Sequence, residues 1–227
     1  AAVAAPPPLP LPPPKPAMTE QEKEKNLTAK QLFGSVQLPS IGKAVAIGYY
    51  HRGCLGAGVE LPVNGPTWQV MRVSRKRNWG HPSLIHFLEK FAPAAVKATG
   101  WNGILVGDLA QPRGGPSPSD HASHQTGLDA DIWYTPPPKL DLTRSERERL
   151  SAIDVRTSDQ RNLNRNWTPS HAALLVAAAR GPRVNRIFVT APPTISSRSR
   201  DRMSSVATCT SSASSRHNSS ARSRERT

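Results

Sequence analysis

Cysteine is nearly absent. Cys54 and Cys209 are the only two in 227 residues, which excludes a disulfide scaffold and any Cys-x-x-Cys metal site. A single Cys54–Cys209 bridge is the most that sulfur could add. No apolar run approaches the roughly eighteen residues a membrane helix needs, so no transmembrane segment is expected. No Gly-x-Ser-x-Gly elbow occurs, which disfavours a hydrolase-elbow triad, and no internal repeat, which excludes solenoids and propellers. The glycine-rich stretch 53–58 reads as a loop, and without a following Lys-Ser/Thr it is weak as a phosphate cradle. Acidic residues are few, 16 against 30 Lys and Arg, for a formal net charge of +14. Such a field favours polyanionic partners, whether nucleic acid, anionic lipid or cell-wall polymer, and charge alone does not choose among them.

What is present divides into three parts. Residues 1–29 form a Pro-rich arm, with eight prolines and no acid in the first 17, and are expected to be disordered. Its opening Ala-Ala-Val-Ala-Ala looks like the end of a signal-peptide cleavage region, which implies export. Residues 194–227 hold 12 Ser and seven Arg with almost nothing to bury, a composition expected to stay disordered. Between them, residues 30–193 have the apolar content of one compact domain.

Within that domain the runs 45–50, 68–73, 104–106 and 186–189 read as strands. Pro82 opens a helix with Leu84, Ile85, Leu88, Phe91 and Ala95 at three- and four-residue spacing, and His86 on it reads as a surface or partly buried imidazole. Thr143 with Glu146 signals a capping box. Thr168-Pro169 opens a third helix that stops at Gly181-Pro182. Without a regular βαβ rhythm, the order predicts an α+β fold, a mainly antiparallel sheet with flanking helices.

Residues 119–133, SDHASHQTGLDADIW, concentrate His121, His124, Asp129 and Asp131. Leu128, Ala130 and Ile132 alternate with the two acids, so a strand here buries one face and projects both carboxylates from the other. Gly127 lets the histidine loop turn toward them. Imidazole and carboxylate are zinc ligands, and a bound zinc lowers the pKa of its water to about 7 for amide hydrolysis. A solvated polar loop before an edge strand would carry the same letters. A carboxylate pair for glycoside cleavage fits the neighbouring histidines less well. Asp108, at the end of the 104–106 strand, reads as a turn residue or as a partner orienting a metal-bound imidazole. Trp79-Gly-His-Pro82 reads as a groove wall or a helix-start turn. The run Arg72, Arg75, Lys76, Arg77 reads as a solvated basic stripe.

The segment 121–132, HASHQTGLDADI, resembles the signature of the penicillin-insensitive murein endopeptidases. Gly53-Cys-Leu, Gln69-Val-Met-Arg72, Gly80-His-Pro82, Val106-Gly-Asp-Leu109, Gly114-Gly115 and Arg186-Ile-Phe-Val189 follow the family's order, so the likeness runs from about 32 to 189. The resemblance implies a periplasmic zinc peptidase that cuts the D-alanyl to meso-diaminopimelyl cross-link of peptidoglycan. It implies His124 and Asp131 as the His-x6-Asp ligands, His121 at the metal or beside it, and Asp159 as a further metal residue. Asp108 and Asp129 are then expected behind the ligands. Asn162 stands where the family has a histidine beyond that Asp. The likeness ends after Val189: the family's later His-x-His, which supplies a third ligand and the catalytic histidine, has no counterpart among these 227 residues. The abrupt change to Ser/Arg composition reads as a frame change or degenerate terminus, and impaired activity is expected. The rival expectation is a non-catalytic binder of peptidoglycan or another polyanion. An arginine-rich RNA-binding tail lacks the interleaved aromatics of an RNA platform, so no nucleic-acid partner is expected.

Overall fold

The computed structural model describes residues 27–119 and 121–189. The Pro-rich arm up to residue 26, the Ser/Arg tail and Cys209 lie outside the described residues.

Helix α1 (Ala29–Ser35) opens the described chain, its cap Thr28 and first residue Ala29 falling in the stretch assigned to the arm and the rest in the domain. A reciprocal box starts it: Thr28 N–H donates to Gln31 Oε1 at 2.9 Å and Gln31 N–H to Thr28 Oγ1 at 3.3 Å. Strands β1 (Val45–Tyr49) and β2 (Arg52–Gly56) pair antiparallel as a hairpin. The glycine-rich stretch expected as a loop is therefore largely strand, because Gly53 and Gly56 leave room for β1 to lie against it.

Two further pairs follow. Strand β3 (Val59–Glu60) is antiparallel to β5 (Trp79–Gly80), and β4 (Trp68–Val70) is parallel to β6 (Ile104–Val106). A short 3-10 turn, Val73–Arg75, follows β4. Helix α2 (Pro82–Thr99) makes the crossover between the two parallel strands. Pro82 sits in its first turn, where a missing N–H costs nothing, and the His81 ring accepts the Ser83 N–H at 3.2 Å.

The predicted stripe on α2 is the core. Leu84, Ile85, Leu88, Phe91 and Ala95 are buried against Leu61, Trp68, Val70, Ile104, Val106 and Leu174. Each large side chain so buried contributes about 1.5–3 kcal/mol. Leu105 points the other way, into a smaller cluster with Met71 and Leu142, so β6 is covered on both faces. That is the usual condition of a parallel pair.

Helix α3 (Arg144–Arg149) has the expected Thr143–Glu146 box, and α4 (Pro169–Ala179) packs on α2. Arg147 is buried, giving its guanidinium hydrogens to the carbonyls of Leu142 and Val70 and to Gln69 Oε1. Residues 186–189 form no strand, contrary to expectation: an apolar run has no ladder unless an edge is offered to it. Among the described residues, two antiparallel pairs, one parallel pair and four helices make the fold α+β. No helix among the described residues is long and apolar enough to cross a membrane.

Candidate metal centre

The end of β6 positions the first acid. Gly107 N–H donates to Asp131 O at 2.8 Å, Asp131 N–H to Asp108 O at 3.0 Å, and Trp133 N–H to Leu105 O at 2.9 Å. Residues 131–133 thus run antiparallel to β6 through one bridge, Val106 with Ile132, rather than as the regular strand expected over 128–133. Only Gly fits at 107, since a Cβ there would stand 2.7 Å from Trp133 Nε1 and 3.1 Å from Asp131 Cβ.

The histidine loop is folded onto this edge. Gly127 has φ 66 and its carbonyl accepts the His81 N–H at 2.8 Å, which makes the sharp turn anticipated from sequence. His124 itself has φ 68, a left-handed conformation that costs a non-glycine residue free energy and that clusters at functional sites. Gln125 secures it. Its N–H donates to Tyr50 O at 3.0 Å, its Nε2 to His51 O at 2.8 Å, and its Oε1 accepts the Gly53 N–H at 3.2 Å.

These constraints bring His121, His124 and Asp131 together, with one ligand atom from each lying within 4.8 Å of the others. His124 Nε2 is 3.4 Å, and His121 Nδ1 3.6 Å, from Asp131 Oδ2. Two ligands each 2.0–2.1 Å from a tetrahedral zinc stand about 3.4 Å apart, so the spacing fits one ion. His124 Nε2 is buried without a hydrogen-bond partner, which is what a nitrogen reserved for a metal requires. The donor set, two imidazoles and a carboxylate, is one that zinc accepts.

His124 is buried, 2% exposed, on Asp129, which is 0% exposed; Nδ1 lies 2.9 Å from Asp129 Oδ2. Nδ1–H therefore donates to that carboxylate and leaves Nε2 facing Asp131. Burial opposes charge on the His124 ring, but its hydrogen bond to Asp129 and the two carboxylates, Asp129 and Asp131, that flank it outweigh burial, so its pKa is pushed up to about 10. Burial would raise the Asp131 pKa; the His124 hydrogen bond and the charges of His124, His121 and Arg77 bring it below the ordinary range.

Asp108 Oδ2 lies 3.9 Å from His121 Nδ1. Asp159 stands outside the cluster: in an exposed turn its carboxylate accepts from the Thr157 hydroxyl and, at 3.1 Å, from the Arg161 N–H. His86 is a surface residue 4.0 Å from Glu89. His171, absent from the candidates read in sequence, is buried among Trp101, Tyr134 and Trp167, where its Nδ1 accepts the Thr168 N–H at 3.0 Å. Arg77 corrects the solvated-stripe reading, for it is 5% exposed and paired with Asp108 at 3.1 Å. Its letters match those of its exposed neighbours, and only the fold turns it inward.

A model of the family described as penicillin-insensitive murein endopeptidase matches residues 46–198. The chain belongs to the penicillin-insensitive murein endopeptidase family. Proteins of that name are 43% identical over 148 residues in Haemophilus influenzae, 37% over 152 in Klebsiella pneumoniae and 38% over 167 in Pectobacterium atrosepticum. The matched stretches are 65%, 66% and 71% of this chain, and 51%, 55% and 57% of those relatives. The chain thus spans about half the length of the murein endopeptidases it matches. His124 and Asp131, which the resemblance read in sequence implies as ligands, are the pair whose atoms stand 3.4 Å apart.

Proposed function

We propose that this chain is a zinc-dependent murein endopeptidase domain acting on the D-alanyl to meso-diaminopimelyl cross-link of peptidoglycan in the periplasm. His121, His124 and Asp131 hold the ion. The observation that carries this reading is their convergence, with the buried Nε2 of His124 left unpartnered beside Asp131 Oδ2. Zinc bound there supplies a Lewis acid that polarises a carbonyl and acidifies water.

The protein's own residues set the stage for it. Asp129 fixes the orientation of the His124 ring, and the backbone of Gly107 and Asp108 fixes Asp131. His121, 46% exposed, stands at the open side. A cavity of about 350 Å³ has Asp131 on its wall beside Phe87, Phe91, Ile132, Trp133 and Tyr134. Its largely apolar wall offers surface to a peptide chain beside the centre. The net charge of +14 favours residence on an anionic wall polymer.

Metal analysis of the purified chain tests the site: one zinc per chain, lost in His124→Ala, supports it, and no zinc above that variant overturns it. Conversion of cross-linked muropeptide dimers to monomers, stopped by a chelator, tests the activity. Retention on murein without release of monomers would instead favour a second reading, a non-catalytic murein binder. The net charge of +14 is the observation on that side.

A further inference from the structure

We propose that Arg77 is a positioning residue of the metal centre, holding Asp108 and the start of the ligand loop so that His121 faces the ion. The inference rests on the reading of His121, His124 and Asp131 as zinc ligands.

The geometry is a clamp across two segments. Arg77 O accepts the Leu109 N–H at 2.8 Å, which sets residue 108 beside it. Its Nη1 then lies 3.1 Å from Asp108 Oδ2 and also donates to Ser119 Oγ. Ser119, whose Oγ is 2.8 Å from that of Ser117, stands two residues before His121. One nitrogen therefore joins the end of β6 to the loop that delivers the imidazole.

Asp108 reaches both exposed ligands. Its backbone carbonyl accepts the Asp131 N–H at 3.0 Å, and its Oδ2 lies 3.9 Å from His121 Nδ1. Charge balance alone does not require Arg77, because Arg75, 46% exposed, already places its Nη1 3.1 Å from the same oxygen. Burying a second guanidinium carries a desolvation penalty that its partners must repay. Its Nε is left without a hydrogen-bond partner. What this second cation adds is the link to Ser119. His124 needs no such help, being packed on Asp129, whereas His121 is half exposed and depends on the loop for its direction.

The test is a double-mutant cycle on zinc affinity, measured on the full chain by competition with a chromophoric chelator. Arg77→Gln is expected to weaken zinc binding about 10–100-fold, the range for a lost outer-shell partner, and His121→Ala, which removes a ligand, by at least as much. The double variant is expected to be no weaker than His121→Ala alone, because Arg77 acts through that ring. A separate thermal melt follows folding. Should Arg77→Gln fail to fold, Ser119→Ala carries the same test: weaker zinc binding at an unchanged melting temperature, with no further loss in the His121→Ala background. Wild-type affinity in the folded variants, or equal losses in both backgrounds, overturns the positioning role while the site reading stands. A wild-type chain that binds no zinc overturns both.

Discussion

A single oxygen, Oδ2 of Asp129, receives both the backbone N–H of His124 at 3.0 Å and the ring Nδ1–H of the same residue at 2.9 Å. The double grip supports a histidine whose backbone is left-handed, and it fixes the ring about its own axis. Asp129→Asn keeps the size but removes the charge and sets an amide donor in competition with the ring N–H. Zinc affinity is expected to fall about 10–100-fold, read by chelator competition. Asp129→Ala leaves the buried histidine unpaired and is expected to cost about 3–5 kcal/mol of stability, read by urea unfolding. An alanine variant with wild-type stability would show that the pair does not support the loop.

Gly107 is the point of closest approach between β6 and the segment that carries Asp131. Gly107→Ala places a methyl group against Trp133 and Asp131, an overpacking expected to cost about 1–3 kcal/mol. The carboxylate must move with its backbone, so zinc affinity is expected to fall along with the melting temperature. Loss of stability with unchanged metal affinity would show that Asp131 is positioned by something other than this contact.

The cap of α3 gives a pH dependence of known sign. The Thr143 backbone N–H donates to Glu146 Oε2 at 2.6 Å, the Thr143 side chain adds to this, and Lys139 Nζ is 3.2 Å from Oε1, so the carboxyl titrates at about 2 instead of its ordinary 4.5. Because folding depresses this pKa, the stabilisation is fully present above about pH 4.5 and is lost as pH falls toward about 2. The gap in melting temperature between the wild-type chain and Glu146→Gln is expected to close over that window. A gap that stays constant down to pH 2 would contradict the cap.

The elements legible in sequence are those written by local chemistry. The α2 stripe, the Thr143–Glu146 box and Thr168-Pro169 each state a helix within a few residues, and all three are present. The Thr28–Gln31 box was equally available and marks α1. Strands were harder, because a short apolar or glycine-rich run has no preference of its own. Whether 53–56 or 186–189 becomes a strand depends on which edge is nearby, and residues 131–133 take only one bridge beside β6. The parallel pairing of β4 with β6 is invisible for the same reason.

At the site, the cluster of histidines and acids could be read because four titratable residues fall within eleven positions. The different duties of its two aspartates could not. Alternation predicts Asp129 and Asp131 side by side on one face, whereas one is sealed beneath His124 and the other is 43% exposed. Arg77 reads as part of the solvated stripe because an inward-facing arginine carries no mark that separates it from Arg75 or Lys76.

The tether through Gln125 makes the first hairpin part of the centre's mechanics. Tyr49 and His51 are exposed and stacked at its tip, yet Gln125, the residue after His124, is bonded to the backbone of Tyr50, His51 and Gly53. The backbone and side chain of that one residue join the tip to the most buried of the three clustered groups. The hairpin and the histidine loop are thus one mechanical unit, and loosening the first would loosen how the imidazole is held.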